Sequence, residues 1–309
     1  PIPNSIGVAF LFLFIFGGIV LEFFLEKTEM IGIFVGSVII CLTGFWDDLK
    51  ILSPYRKLFY QLLAVSFVVL HNGLVIHNLH GFLGIEFLNS FIGIPFTIFI
   101  GVFMINAFNL IDGIDGLAGM TSIISFAAFA IVFWVLDSKG YFGICFLMIG
   151  IISSYLPFNF SKKRKVFMGD SGSMFLGLLL ASAAITLTGQ VDPNAISAVE
   201  AGPTLLPLLL PFAVLAIPLA DLVLAISRRL RAGRSPFAPD KDHLHHRLLS
   251  AGNSHVRTAV IMYLWTATLA FPITISAFAP MWVALLTAAV LATITIVATR
   301  TGKKDSVYV

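Results

Sequence analysis

The sequence predicts an all-α integral membrane protein of about ten transmembrane helices, with a polar cleft facing the cytoplasm. Three observations predict it. Of 309 residues 58% are hydrophobic and only 11% are charged, with a mean hydropathy of +0.98, far too little charge to cover a soluble surface. The apolar residues gather in runs close to the roughly 20 residues needed to cross a hydrocarbon core. Lys and Arg are concentrated in alternate connectors between those runs, the pattern that orients a membrane protein.

The ten runs are 7–24, 30–46, 58–76, 91–108, 117–136, 141–158, 173–187, 204–226, 256–278 and 281–299. Backbone groups cannot stay unpaired in lipid, so each is predicted to be a helix. The first lacks a basic leader and reads as a span, not a cleavable signal; the start at Pro1, without Met, reads as trimmed. A Gly-rich stretch over 80–89 suggests a small hairpin. One set of connectors carries Lys50, Arg56, Lys57, Lys162, Lys163, Arg164, Lys165, Arg228, Arg229, Arg231, Arg234, Lys241, Arg247, Arg257, Arg300, Lys303 and Lys304; the other carries Lys27 and Lys139. Seventeen basic residues against two place the first set, and both ends of the chain, in the cytoplasm. Cys41 and Cys145 lie inside apolar runs and read as inert small hydrophobes. The chain reads as one multi-pass domain over 1–309, yet 26 of its 30 Phe lie at or before Phe175 while 23 Ala follow Gly177. Two explanations stand: halves of different origin joined near 176–184, or drift of a less constrained C-terminal half.

Charge at a helix end in lipid is costly, so clusters there are functional candidates. On the basic side they gather in three acidic places and one cationic one. Asp47-Asp48 ends the second run; adjacent carboxylates repel and need cations nearby, and Lys57 follows in the same connector. Taken alone, the pair also suits a solvated helix end. Asn106, Asn109, Asp112 and Asp115 recur every third residue, with Gly113 and Gly116 loosening the backbone for close approach to a ligand. Phe167-Met168-Gly169-Asp170-Ser171-Gly172-Ser173 precedes another helix. Small residues there present N–H groups to an anion, and an Asp beside phosphate is how Mg²⁺ is commonly held. The fourth cluster joins Arg228, Arg229, Arg231 and Arg234 to His243, His245, His246 and Arg247. Arg suits bidentate phosphate recognition; a zinc site would need a second ligand set that the spacing lacks. His71, His77, His80 and His255 read as structural or solvated, and Asp221 either supports the site or partners the Arg run.

On these residues the chain resembles the polyprenyl-phosphate N-acetylhexosamine-1-phosphate transferase superfamily, over essentially its whole length. Asp47-Asp48 is similar to the family's paired Asp, 106–117 to its NxxNxxDGxDGL motif and 167–173 to its FMGDxGS motif. His243-Leu244-His245-His246-Arg247 resembles the HxHHR form of the WecA/TagO-like branch and not the three-His form of the related MraY enzymes. Two departures stand out. The family fold has eleven helices, one of them before the point where this chain begins, and Pro1-Ile2-Pro3 resembles a degraded start of its first cytoplasmic loop. The segment from Asn159 to Asp170 is one residue longer than is typical of the family.

The resemblance implies transfer of N-acetylglucosamine-1-phosphate from UDP-GlcNAc to undecaprenyl or decaprenyl phosphate, with release of UMP. It implies a multi-pass protein of the bacterial inner membrane, surrounded by membrane lipids and with its site facing the cytoplasm. The step would be the first membrane reaction toward a cell-envelope polysaccharide such as lipopolysaccharide, teichoic acid or an arabinogalactan linker. Mg²⁺ is the implied cofactor, with Mn²⁺ as substitute, and a homodimer the implied assembly; nucleic acid is no partner. Asp170 is the implied metal ligand, with Asp112 as a second candidate. Asp47 would position the lipid phosphate for attack, assisted by Asp48. Asp115, Asn109, Asn159 and Phe167 would form the nucleoside end, with Phe167 stacking on uracil. Asn106 belongs with this substrate-binding set. His243, His245, His246, Arg247 and Lys57 would hold phosphates, and Arg231 and Arg234 would close over the sugar. The rival classes are a transporter, which would want midplane polar groups and inverted repeats, and a lipid-binding scaffold, which would leave the paired DG motifs unexplained.

Overall fold

A computed structural model describes residues 6–24, 30–79, 81–190, 206–235, 243–276, 279 and 281–300. The expectations for the Pro1 segment, Lys27, His80, Lys241, Lys303 and Lys304 lie outside the described residues. The helices are α1 (Ile6–Phe24), α2 (Ile31–Leu49), α3 (Pro54–His71), α4 (Ser90–Ile111), α5 (Leu117–Val135), α6 (Lys139–Asn159) and α7 (Gly169–Gln190). After them come α8 (Leu206–Val214), α9 (Ala216–Arg231), α10 (Leu244–Ser250), α11 (His255–Ile275) and α12 (Met281–Arg300).

Seven helices, α1, α2, α4, α5, α6, α7 and α11, are long and apolar enough to cross a membrane. The described chain is therefore a multi-pass membrane protein with seven such spans, or eight with the bent pair described next, where the sequence pattern predicts ten. The predicted third span falls on α3, whose 18 residues include Arg56, Lys57, Gln61 and His71. The predicted last span falls on α12, whose apolar stretch is Trp282–Thr295.

The single helix predicted over 204–226 is instead two, α8 and α9, bent by 73°. Proline explains the break. Pro218 has no N–H, so the Val214 carbonyl loses its helical donor. In lipid that carbonyl still needs a partner, and the Ser125 hydroxyl of α5 donates to it at 3.2 Å. Beyond the bend, α9 packs on α4 and α11.

At the centre runs α7, with 94% of its span buried, as expected of a helix that is apolar or small on every face. It packs against α1, α2, α4, α5 and α8 and runs unbroken through 176–184. Phe175 meets Phe14 of α1 edge-to-face at 5.6 Å.

The topology places the chemistry. α2 and α3, α4 and α5, and α6 and α7 all turn at the same end of the bundle, where the start of α10 also lies. Lys50, Lys162, Lys163, Arg164, Lys165, Asp112 and Asp115 lie in those connections, and Asp47, Asp48, Arg56, Lys57 and Asp170 lie on the helix ends that flank them. The expected hairpin sits between α3 and α4, at the opposite end. It pairs Asn78 with Phe87, with Leu79 N donating to Glu86 O at 3.0 Å and Leu88 N to His77 O at 2.7 Å.

Candidate active site

α2 meets α7 backbone to backbone. A Cβ on Gly44 would collide with the Ser171 main chain, so only glycine lets the two helices touch there. Within about one turn, Asp47 and Asp48 therefore arrive at the α7 N-terminus. Asp48 accepts from Asp170 N at 2.8 Å, Ser171 N at 3.2 Å and Ser171 Oγ at 2.9 Å. It caps α7 from a neighbouring helix, satisfying N–H groups that have no partner within α7 and placing negative charge at the positive end of the helix dipole.

Asp47 points elsewhere. It accepts from Leu52 N at 2.6 Å and from Lys57 Nζ at 3.0 Å. Lys57 reaches two more acceptors, Asp170 Oδ2 at 2.5 Å and Asn109 Oδ1 at 3.2 Å. Asn109 completes the frame, donating to Asp170 Oδ1 at 2.9 Å and Ser173 Oγ at 2.8 Å. One turn farther from the site, Gln61 of α3 and Asn106 of α4 pair through their amides at 2.8 and 3.3 Å. Asn106 is thus engaged with α3, outside the cleft described below.

α4 stops at Ile111, and the chain loops through Asp112 to Gly116 before α5 begins. Buried Asn159, at the end of α6, stitches this loop to the next connector. Its Oδ1 accepts from Gly116 N at 2.6 Å and its Nδ2 donates to Val166 O at 3.0 Å. That places Phe167 opposite the loop. Lys165 joins the two walls: its Nζ lies 2.5 Å from Asp115 Oδ2 and 5.1 Å above the Phe167 ring, close enough for a cation–π attraction.

Asp48, Asp112, Asp115, Asn159, Phe167 and Asp170 line one cleft of about 260 Å³, with Lys57, Asp47 and Asn109 behind Asp170. Five carboxylates here face the two ammonium groups of Lys57 and Lys165. Burial, with Asp170, Asp48 and Asp115 nearby, pushes the Asp112 carboxyl up to about 7. Among the described residues that line or back it, the cleft holds more acidic than basic groups.

The histidine segment reaches the same loop. Asp221 of α9 is fully buried; it accepts from Leu244 N at 2.9 Å and lies 3.1 Å from His243 Nδ1. His243 stacks parallel to His245 at 5.9 Å, and His245 lies 4.2 Å from His246. A Cβ on Gly113 would strike His245 Nε2, so the imidazole rests against the backbone beside Asp112. Burial first, then His246 and His243, lowers the His245 pKa to about 4. His245 is therefore a neutral ring near pH 7, able to hydrogen-bond an anion but supplying no charge.

The family model for glycosyl transferase family 4 matches residues 30–188, from the start of α2 to nearly the end of α7. The decaprenyl-phosphate N-acetylglucosaminephosphotransferase of Mycobacterium tuberculosis (strain CDC 1551 / Oshkosh) is 37% identical over 290 residues, covering 88% of this chain and 71% of that protein. The enzyme of the same name from Mycolicibacterium smegmatis is 36% identical over 260 residues, covering 80% and 63%. The undecaprenyl-phosphate alpha-N-acetylglucosaminyl 1-phosphate transferase of Salmonella typhi is 34% identical over 298 residues, covering 92% and 76%. The chain belongs to glycosyl transferase family 4.

The matched region of this transferase contains Asp47, Asp48, Lys57, Asn106, Asn109, Asp112, Asp115, Asn159, Phe167 and Asp170, while the histidine segment lies beyond it. Among the described residues no three His, Cys, Asp or Glu side chains form a ready metal cage. Mg²⁺ does not need one, because it commonly takes one or two carboxylates and completes its shell with water and substrate oxygens. Asp170 and Asp112, both on the cleft wall amid excess negative charge, fit that requirement. Arg231, Arg234 and Arg247 are exposed and do not line the cleft. Sequence reasoning missed Lys165, Gln61 and the capping role of Ser171. Gln61 was findable, as the lone amide in an apolar helix one turn from Lys57; Lys165 was not, because it stands in a run of four basic residues that also reads as an orientation signal.

Proposed function

We propose that this transferase moves N-acetylglucosamine-1-phosphate from UDP-GlcNAc to a polyprenyl phosphate at the cytoplasmic face of a bacterial inner membrane, releasing UMP. The observation that carries the reading is the convergence of three acidic segments, distant in sequence, on one cleft held by Lys57. The names of the relatives support a polyprenyl-phosphate acceptor and the transfer of an N-acetylglucosamine-phosphate group.

An oxygen of the lipid phosphate attacks the β-phosphorus of the donor. A new diphosphate linkage forms to the lipid while the bond from the β-phosphorus to the bridging oxygen breaks, and that oxygen departs with UMP. The attacking phosphate is already ionised near neutral pH, so a general base is not required. The protein's work is positioning and charge compensation, as in phosphoryl transfer generally.

Lys57 fixes Asp47 and Asp170 beside the attacking phosphate and would reach that phosphate by giving up one of its three acceptors, and neutral His245 and its neighbours would donate hydrogen bonds to the diphosphate. Phe167 offers a face for the uracil ring, between Asp115 and Asn159. Asp170, with Asp112 beside it, would hold Mg²⁺, which when bound would supply positive charge to the diphosphate; Mn²⁺ is the expected substitute. The basic residues of the connectors at this end favour the cytoplasmic orientation.

The test is UMP release by the purified enzyme from UDP-GlcNAc with polyprenyl phosphate and Mg²⁺. Release should require all three and stop with a chelator, and the labelled sugar should pass into the lipid phase. Hydrolysis of the donor without acceptor, or no release with any polyprenyl phosphate, would overturn the reading.

A further inference from the structure

Asp221 has no place in the transfer chemistry above, yet it is fully buried and makes two hydrogen bonds to one segment. We propose that Asp221 is a positioning residue that sets the tautomer of His243 and, through it, the orientation of the histidine cluster at the catalytic loop.

Geometry carries the argument. Asp221 sits on α9, beyond the proline break, where the helix packs on α4. α4 ends beside Asp112. One Asp221 oxygen accepts the Leu244 amide at the start of α10, and the other faces His243 Nδ1. A carboxylate only accepts, so Nδ1 must carry the hydrogen, leaving Nε2 as the variable atom. This is how a buried carboxylate fixes a histidine without touching substrate.

The effect passes from ring to ring. His243 lies 9° from parallel with His245, and His245 abuts Gly113. Both His245 nitrogens are buried and, among the described residues, have no hydrogen-bond partner. A neutral imidazole with two unfilled positions beside Asp112 is a costly arrangement unless a ligand or water completes it. Asp221 holds that ring in place through its neighbour.

Two variants separate positioning from simple stability. In Asp221→Asn the amide oxygen still accepts from Leu244 N, but its NH₂ faces His243 Nδ1. The ring must then accept at Nδ1 and carry its hydrogen on Nε2. Asp221→Ala removes both functions. The proposal rests on the transfer reaction above, so two readouts are used: kcat/KM for UMP release, and ¹⁵N NMR of the seven histidines in selectively labelled protein in detergent.

The expected result for Asp221→Asn is one ring with inverted tautomer, a melting temperature within about 2 °C of the parent and a loss of at least tenfold in kcat/KM, the lower end for outer-shell partners of functional histidines. Asp221→Ala should lose both melting temperature and activity. Full activity in Asp221→Asn, an uninverted ring, or equal losses of activity and melting temperature in both variants would overturn the proposal. A parent protein that released no UMP would count against the reaction, while the NMR would still report the tautomer.

Discussion

Removing Asp48 tests whether the paired acids divide their labour. In Asp48→Ala the amide hydrogens of Asp170 and Ser171 and the Ser171 hydroxyl lose their acceptor together. Ser171 is fully buried, so water cannot easily replace the lost bonds there; Asp170 borders the cleft and is partly hydrated. A lost N-cap costs about 1 kcal/mol and a buried orphan donor about 1–3 kcal/mol, so the sum is on the order of 2–4 kcal/mol. For 150–250 residues 1 kcal/mol shifts the midpoint by roughly 2–4 °C; in this larger chain the low end of that range applies, and the expected drop in melting temperature is about 4–8 °C. The assay is thermal unfolding of the enzyme in detergent, with UMP release measured in parallel well below the transition. Activity should fall too, because Asp170 sits on the first turn that Asp48 holds. Asp48→Asn, which keeps one good acceptor, should show about half the thermal loss. An Asp48→Ala enzyme that melted with the parent would refute the cap.

Three further outcomes are expected. Asp170→Asn should reduce Mg²⁺-dependent UMP release by roughly 10²-fold, the scale of losing one electrostatic contact to a transition state, while the fold persists; near-parental activity would remove Asp170 from the metal site. Lys165→Ala should raise the KM for UDP-GlcNAc about tenfold and leave that for the lipid unchanged, since the bare Asp115 carboxylate would then face an anionic donor; Lys165→Arg should restore it, and an unchanged donor KM would refute the pairing. His245 is held near 4 in the folded protein against 6.5 for a free histidine, so the unfolded chain takes up a proton first as pH falls. Its contribution to stability is complete above 6.5 and lost as pH drops toward 4; melting curves from pH 7 to 4.5 should show that loss, and His245→Gln should flatten it.

How much of this was legible in the sequence depends on whether the signal was periodic or three-dimensional. Apolar runs and basic connectors located nine of the ten predicted helices as single elements, because lipid leaves the backbone few choices. The break at Leu215 was not foreseen, although Pro211 and Pro218 flank it. A proline in a membrane helix bends it only where a neighbour can take the freed carbonyl, and nothing local shows that Ser125 lies opposite. The acidic residues were recognised individually from their positions at helix ends. Their division into cap, counter-ion and cleft wall was not, because each partner lies far away in sequence on another element: Asp48 with Ser171, Lys57 with Asp170, Asn159 with Gly116.

The paired Asp makes sense only when α7 is considered together with α3. Successive residues on a helix point about 100° apart, since 3.6 residues complete a turn. Asp47 and Asp48 can therefore address two neighbours from one place: Asp48 the N-terminus of α7, Asp47 the ammonium on α3. Lys57 then returns to Asp170, closing a circuit through α2, α3 and α7 in which Asn109 of α4 also takes part. Each bond holds a chemical group and a helix end at once. Such a site keeps its geometry without preformed metal ligation, because its acids are already oriented by amides, a hydroxyl and one lysine. In the proposed reaction, the remaining excess of negative charge would favour a divalent ion where two anionic substrates meet.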